Sequence, residues 1–252
     1  MQSLFSLTAG ASVRWHDLPG KGIPVVFIHG LGCASSYEYP RIVADPAFGG
    51  RRAILIDLPG YGFSDKPRDY DYSIAHQADV VIEVINALTL PQCHIYGHSM
   101  GGSIAIEVAA RLRERVGKLV VSEPNFHAGG GEYSRIIVEK PEAEFVSHVY
   151  DQMLANQTSP WKGSAQNAAP WAMWRGAKSL VEGTSPSWME IFLSLSCSRE
   201  LIFGEQSLPD NDFQYVSQND IPVAVVPQAG HSMSWENPSA LAEALNKEFS
   251  QG

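Results

Sequence analysis

Short apolar runs alternate with amphipathic stretches through the first half of the chain. Pro24-Val25-Val26-Phe27-Ile28-His29 and Ala53-Ile54-Leu55-Ile56-Asp57 are nearly unbroken apolar segments of strand length. Cys93-His94-Ile95-Tyr96 and Lys118-Leu119-Val120-Val121-Ser122 follow, and Ser12 to His16 reads as an earlier strand. Strands apolar on both faces belong inside a parallel sheet covered by helices on each side. Between them, Ile74, Ala78, Val81, Ile82, Ile85 and Leu88 recur at helical spacing behind Ser73, a capping residue. Ser103 to Leu112 reads as another helix. Strand and helix alternating in this order predict a doubly wound α/β fold.

The rhythm breaks after Glu123. Residues 125–195 contain no strand-like run and read as helices over Ala143 to Leu154, Ala168 to Val181 and Pro186 to Leu195. Strands resume at Arg199 to Phe203 and Pro222 to Val226, and Ser239 to Phe249 is a final helix. The pattern predicts one α/β core, residues 1–124 and 196–252, interrupted by a helical lid at 125–195.

Composition narrows the function classes. The 252 residues are 44% hydrophobic and 18% charged, the opposite of the balance that disorder needs. Lys and Arg total 18 against 27 Asp and Glu, a net charge of −9. Such an excess repels phosphate, so neither a nucleic-acid partner nor an anionic membrane is expected. The three cysteines, Cys33, Cys93 and Cys197, are odd in number and widely spaced. They make neither a disulfide framework nor a zinc site, and free thiols fit a reducing compartment. Met1 to Gly10 lacks a secretory pattern, and no apolar run approaches the ~20 residues of a membrane helix. The expectation is a soluble, cytoplasmic protein.

Chemistry concentrates at Gly97-His98-Ser99-Met100-Gly101, a G-x-S-x-G motif that directly follows a strand and opens a helix. That context is what a nucleophile elbow requires. The turn is so tight that Ser99 must adopt strained dihedrals, with glycine on both sides to avoid clashes. Its hydroxyl then stands exposed at a helix N-terminus, where the dipole favours negative charge. A glycine-rich turn with an incidental serine is the bland alternative.

Three further segments extend the likeness. Val25 to Gly32 resembles the strand-three "HG" loop of the α/β-hydrolase fold superfamily. Asp57 to Asp65 resembles its D-x-P-G-x-G-x-S loop, and Ala229-Gly230-His231-Ser232 its late "G-H" loop. The resemblance covers essentially the whole chain and implies a mostly parallel eight-stranded sheet with helices on both faces and a lid insertion. It implies Ser99 as nucleophile and His231 as its base, with backbone amides of Leu31 and Met100 as the oxyanion hole. Gly32 is the alternative donor to Leu31, and His127 is the rival base. His29 has a structural role in the family, and Asp57 reads as a loop organiser.

The acid departs from the family's usual pattern. Where the family places Asp after strand seven, this chain reads Gly204-Glu205-Gln206-Ser207. Some members, including certain lactone hydrolases and dehalogenases, carry the acid at the end of strand six instead. Here that position is Glu123, and a carboxylate there reaches the same imidazole because strand six neighbours the nucleophile strand. Asp210 is the alternative acid.

Trp161, Trp171, Trp174 and Trp188 crowd into the insertion, with Phe126, Tyr133, Phe145 and Tyr150 near them. Trp161, Trp171, Trp174 and Phe126 are expected to line a pocket for an apolar or aromatic small molecule. Gluing the lid to the core is their competing role. Gly129-Gly130-Gly131 reads as a hinge or a turn. The predicted activity is hydrolysis of a carboxylic ester or lactone through a Ser-His-Glu triad, with no metal or organic cofactor implied. A carbon–carbon bond hydrolase and a slow-turnover ligand receptor are the alternatives.

Overall fold

A computed structural model describes residues 1–250; the last two positions of the predicted 196–252 core segment lie outside the described residues. Eight strands form one sheet: β1 (Gln2–Ser6), β2 (Ala11–Leu18), β3 (Lys21–Ile28), β4 (Arg51–Asp57), β5 (Cys93–His98), β6 (Val116–Ser122), β7 (Ser198–Gly204) and β8 (Val223–Val226). Their spatial order is β1-β2-β4-β3-β5-β6-β7-β8. β2 runs antiparallel to both its neighbours, and β4 through β8 are parallel throughout.

The main helices are α1 (Ile74–Ala87), α2 (Met100–Leu112), α3 (Glu132–Val138), α4 (Tyr150–Asn156), α5 (Trp161–Ala165), α6 (Pro170–Glu182), α7 (Trp188–Ser194), α8 (Asn211–Gln218) and α9 (Pro238–Phe249). Strand alternation divides the core in two. Val26, Ile28, Ile54 and Ile56 join the layer packed by α1, α2 and the helices between β6 and β7. Val25, Phe27, Ala53 and Leu55 point the other way, onto Phe48 and α9. All eight of these strand residues are fully buried, so β3 and β4 read as continuous apolar runs.

Some boundaries differ from the sequence pattern, each for a local reason. β1 escapes the pattern because it is a half-exposed edge strand paired only with β2. α2 starts at Met100 rather than Ser103, because Ser99 itself occupies the N-cap position. The single helix expected over 143–154 is broken into Glu142–Glu144, a π-helical turn at Phe145–Val149, and α4. α3, α5 and α8 are short, half-exposed elements whose apolar residues are too few to mark a face. No strand lies between β6 and β7 among the described residues.

Candidate active site

The elbow is built by close backbone approach. Ser99 has φ 53° and ψ −124°, a region that non-glycine residues occupy only when the surroundings hold them there. A Cβ on Gly97 would lie within 3.0 Å of Gly101 O, and one on Gly101 within 3.0 Å of Ile28 O. Both obstacles are backbone, so neither can yield. The Ser99 amide donates to Ser122 O at 3.0 Å, which ties the turn to β6.

β6 ends in a second strained turn. Glu123 has φ 40°, and its amide donates to Ile202 O at 3.1 Å. Its side chain, only 8% exposed, accepts at Oε1 from the Gly204 amide (2.9 Å) and at Oε2 from His231 Nδ1 (2.6 Å). Burial alone would raise the Glu123 carboxyl. The hydrogen bond and charge of His231, with the Gly204 amide, outweigh burial and hold it below its ordinary value. A carboxylate only accepts, so Nδ1 carries a proton, and in the neutral ring the lone pair falls on Nε2.

The His231 loop is held where β7 ends. A Cβ on Gly204 would lie within 3.0 Å of Gly230 O, and Gln206 N donates to Ala229 O at 2.8 Å. His231 stands half exposed over His98, with ring centroids 4.7 Å apart. Burial, with His231 adding to it, pushes the His98 imidazole down to about 3, so His98 is neutral. His98 Nδ1 bonds the Ser122 hydroxyl at 2.9 Å, turned away from Ser99. Ser99 and His231 line the same cavity without a direct hydrogen bond between them.

The loop after β3 completes the edge. A Cβ on Gly30 would stand 3.3 Å from Ser99 Cβ, so Gly30 abuts the elbow. His29 fixes this loop: its Nε2 accepts from Leu58 N at 3.1 Å, and its Nδ1 therefore donates to Gly30 O at 2.9 Å. Asp57 organises the next loop by accepting from Ser36 N, Ser36 Oγ and Phe63 N. Met100, first residue of α2, has an amide with no acceptor within its own helix. Leu31 lines the same cavity as Ser99, and Met100 follows Ser99 directly in the chain.

A cavity of about 430 Å³ opens over this edge. Trp161 lines it; its Nε1 donates to Leu31 O at 2.9 Å, and its ring occupies the space a Cβ on Gly32 would fill. Tyr133 lines it too, 5.5 Å from Trp161 between ring centroids. The other three predicted lining aromatics do not reach it. Trp171 lies under the Arg68 guanidinium, and Trp174 donates to Lys140 O. α6 instead faces the core with Ala172, Met173, Gly176, Ala177 and Leu180, which turns both tryptophans aside. Phe126 is buried against Phe192. Trp188 docks α7 on α2 by donating to Glu107 at 3.0 Å.

Asp210 lines the cavity, but its carboxylate caps α8 by accepting from Phe213 N at 2.9 Å. Glu205 accepts from Gln228 N, and His127 pairs with Asp212 at the surface. Ser207, at the place where an Asp was sought, lies beside the Glu123 carboxylate. Gly129 and Gly130 have positive φ, and Gly129 N donates to Val181 O, which makes this segment a turn pinned to α6. Sequence reasoning missed Glu38 and Trp235, which also line the cavity. Among the described residues, no group of three or more His, Cys, Asp or Glu could hold a metal ion. No helix among them is long and apolar enough to cross a membrane.

The sheet, elbow and loops define an α/β hydrolase scaffold. The chain has the α/β-hydrolase fold, and a family model described as alpha/beta hydrolase fold matches its residues 23–143. A 2-hydroxymuconate semialdehyde hydrolase of Pseudomonas putida is 38% identical over 115 residues, 46% of this chain and 41% of that protein. The chain therefore spans about two fifths of the length of this curated relative. An N-acyl homoserine lactonase structure, 20% identical, superposes with a TM-score of 0.77 over 98% of this chain and 95% of its own. A thermophilic esterase from Thermogutta terrifontis, 21% identical, reaches 0.79 over 100% and 99%. At these identities the structural likeness concerns the fold.

Proposed function

We propose that the protein is a serine hydrolase of carboxylic esters or lactones, with Ser99 as nucleophile, His231 as base and Glu123 as the acid that orients it. The observation that carries this reading is the 2.6 Å bond between His231 Nδ1 and Glu123, in the cavity that Ser99 also lines. Nε2 takes the Ser99 proton as Oγ attacks the carbonyl carbon. The amides of Leu31 and Met100 receive the oxyanion. Nε2 then protonates the leaving alkoxide, and a water, deprotonated by the same nitrogen, releases the acid and regenerates Ser99. Attack requires Oγ and Nε2 within about 3 Å, a bond that commonly tightens only when substrate is present. The 125–195 segment acts as the lid in this reading, with Trp161 at its contact with the oxyanion loop.

The 38% identical relative supports a second reading, carbon–carbon bond hydrolysis. That relative's named substrate, a muconate semialdehyde, carries a carboxylate. The experiment is a panel of nitrophenyl esters and lactones of graded size beside a vinylogous diketone acid, each run with Ser99→Ala as control. Ester or lactone turnover that vanishes in the variant supports the first reading. Turnover confined to the diketone acid replaces it with the second, and binding with at most a single turnover would make the protein a receptor.

A further inference from the structure

The residue before the nucleophile is buried between two parts of the site and has no step in the proposed reaction. The elbow requires glycine at 97 and 101, a demand that does not extend to position 98. His98 is 6% exposed, and its ring stands 4.7 Å from that of His231 between centroids, with 46° between the planes. Its edge meets the loop after β3: a Cβ on Gly30 would lie 3.6 Å from His98 Cδ2. Two hydroxyls from the sheet anchor the ring. His98 Nδ1 bonds Ser122 Oγ at 2.9 Å, and Ser122 Oγ bonds the Tyr96 hydroxyl at 2.8 Å. All three side chains are buried, and His98 lines the cavity beside Ser99 and His231. Packing and a hydrogen-bonded chain therefore lock the ring in place.

His231 needs such a neighbour. Glu123 ties its Nδ1, but one hydrogen bond leaves an imidazole free to turn about the N–H···O line. Proton transfer needs Nε2 aimed at Ser99 Oγ to within about 10–20°, so a second contact has to fix the tilt. Charge matters as well. His231 becomes an imidazolium when it takes the Ser99 proton, and a second cation stacked on it would oppose that step. Burial first, then His231 itself, hold the His98 imidazole down at about 3, against the pull of Glu123. Glu123, after β6, and Glu38, after β3, are the carboxyls that interact with His231.

Resting on the serine-hydrolase reading, we propose that His98 is a positioning residue: its flat ring is the platform that fixes the tilt of His231 and spaces it from the oxyanion loop. The bond at Nδ1 anchors the ring, but the uncharged face of the ring sets the position. His98 acts only through His231, so its effect falls on turnover rather than on substrate binding. Attack and acyl release both pass through Nε2, so the two steps slow together when the tilt is lost.

The test separates the ring from its hydrogen bond. His98→Phe keeps a flat, uncharged ring and loses the bond to Ser122. His98→Gln keeps an uncharged group able to bond Ser122 and loses the ring. Nitrophenyl-ester kinetics are measured on the whole protein, on both variants and on Ser99→Ala. Rates are counted per serine titrated by a serine-directed phosphonate, so a partly folded preparation is still read. His98→Tyr and His98→Asn stand in for a variant that gives no titratable serine. His98→Phe should keep kcat within about threefold of the unaltered protein. His98→Gln should lower kcat by about 10- to 100-fold, the scale of a misdirected base, with KM within about twofold. If the unaltered protein turns over no ester, or Ser99→Ala retains the turnover, the serine-hydrolase reading itself fails. If turnover depends on Ser99 but both variants stay within threefold, His98 positions nothing. If His98→Phe falls as far as His98→Gln, or further, the ring nitrogens carry the effect and the platform is wrong. A rise in KM at unchanged kcat would make His98 a substrate contact, which overturns the proposal too.

Discussion

The carboxyl edge of the sheet and the insertion between β6 and β7 meet at one cavity but are built by opposite means. At the sheet edge, each polar group stands on a turn that backbone contacts determine. Gly97, Gly101 and Gly204 leave no room for a methyl group, and Ser99 and Glu123 are held at positive φ. The insertion contributes Tyr133 and Trp161 from short helices through side-chain packing and one indole hydrogen bond. Edge geometry of this kind is rigid and unforgiving. In the proposed reading the edge carries the chemistry and the insertion carries selection, a division open to attack from both sides.

The largest expected effect is at the edge. Ser99→Ala should lower kcat toward nitrophenyl esters by about 10⁴-fold or more with an unchanged circular dichroism spectrum. Glu123→Gln, which removes the charge opposite Nδ1, should cost about 10²–10⁴-fold in kcat. Asp210→Ala should leave kcat within about threefold yet lower stability by about 1 kcal/mol through loss of the α8 cap, read from the urea midpoint. The reverse ranking would move the acid to the loop after β7.

Insertion variants should do less. Trp161→Phe removes the indole edge that covers Gly32 and with it the N–H that pins Leu31 O, a bond worth about 1 kcal/mol. A loss of about three- to tenfold in kcat/KM is expected in steady-state assays. A loss as deep as that of Glu123→Gln would erase the division between the two regions.

The last effect concerns pH and stability rather than turnover. Burial, with Arg51 and Lys118 nearby, pushes the His94 imidazole from 6.5 down to about 4, and His98 is pushed to about 3. Both protonate more readily in the unfolded chain, so folding weakens as pH falls below about 6.5. His94 flattens out near 4, and His98 near 3. Replacing His94 by Phe, which retains the stack on Phe249, should recover about 1–2 kcal/mol of the stability lost between pH 7 and 5. Urea midpoints at the two pH values check this.

How far the sequence foretold these features follows from the same contrast. Close backbone approach leaves glycines in fixed positions, so the elbow, the "HG" loop and the "G-H" loop stand out in the chain. With Ser207 in place of the usual Asp, Glu123 is the acid the chain leaves legible, at the end of β6, which lies between β5 and β7. Pocket walls leave no such trace. Helical spacing put Trp171 and Trp174 on one face but not which face, and α6 turns that face from the cavity. Glu38 is invisible for a related reason. Nothing local distinguishes it from a solvated glutamate until Ser234, 196 residues away, closes over it.

Covalent capture addresses the central assignment most directly. A serine-directed phosphonate should add one equivalent of mass to the intact protein, map to the peptide containing Ser99 and abolish ester turnover in proportion to labelling. Glu123→Gln should slow that labelling without moving it. Full turnover after labelling, or modification at any other residue, would contradict the account.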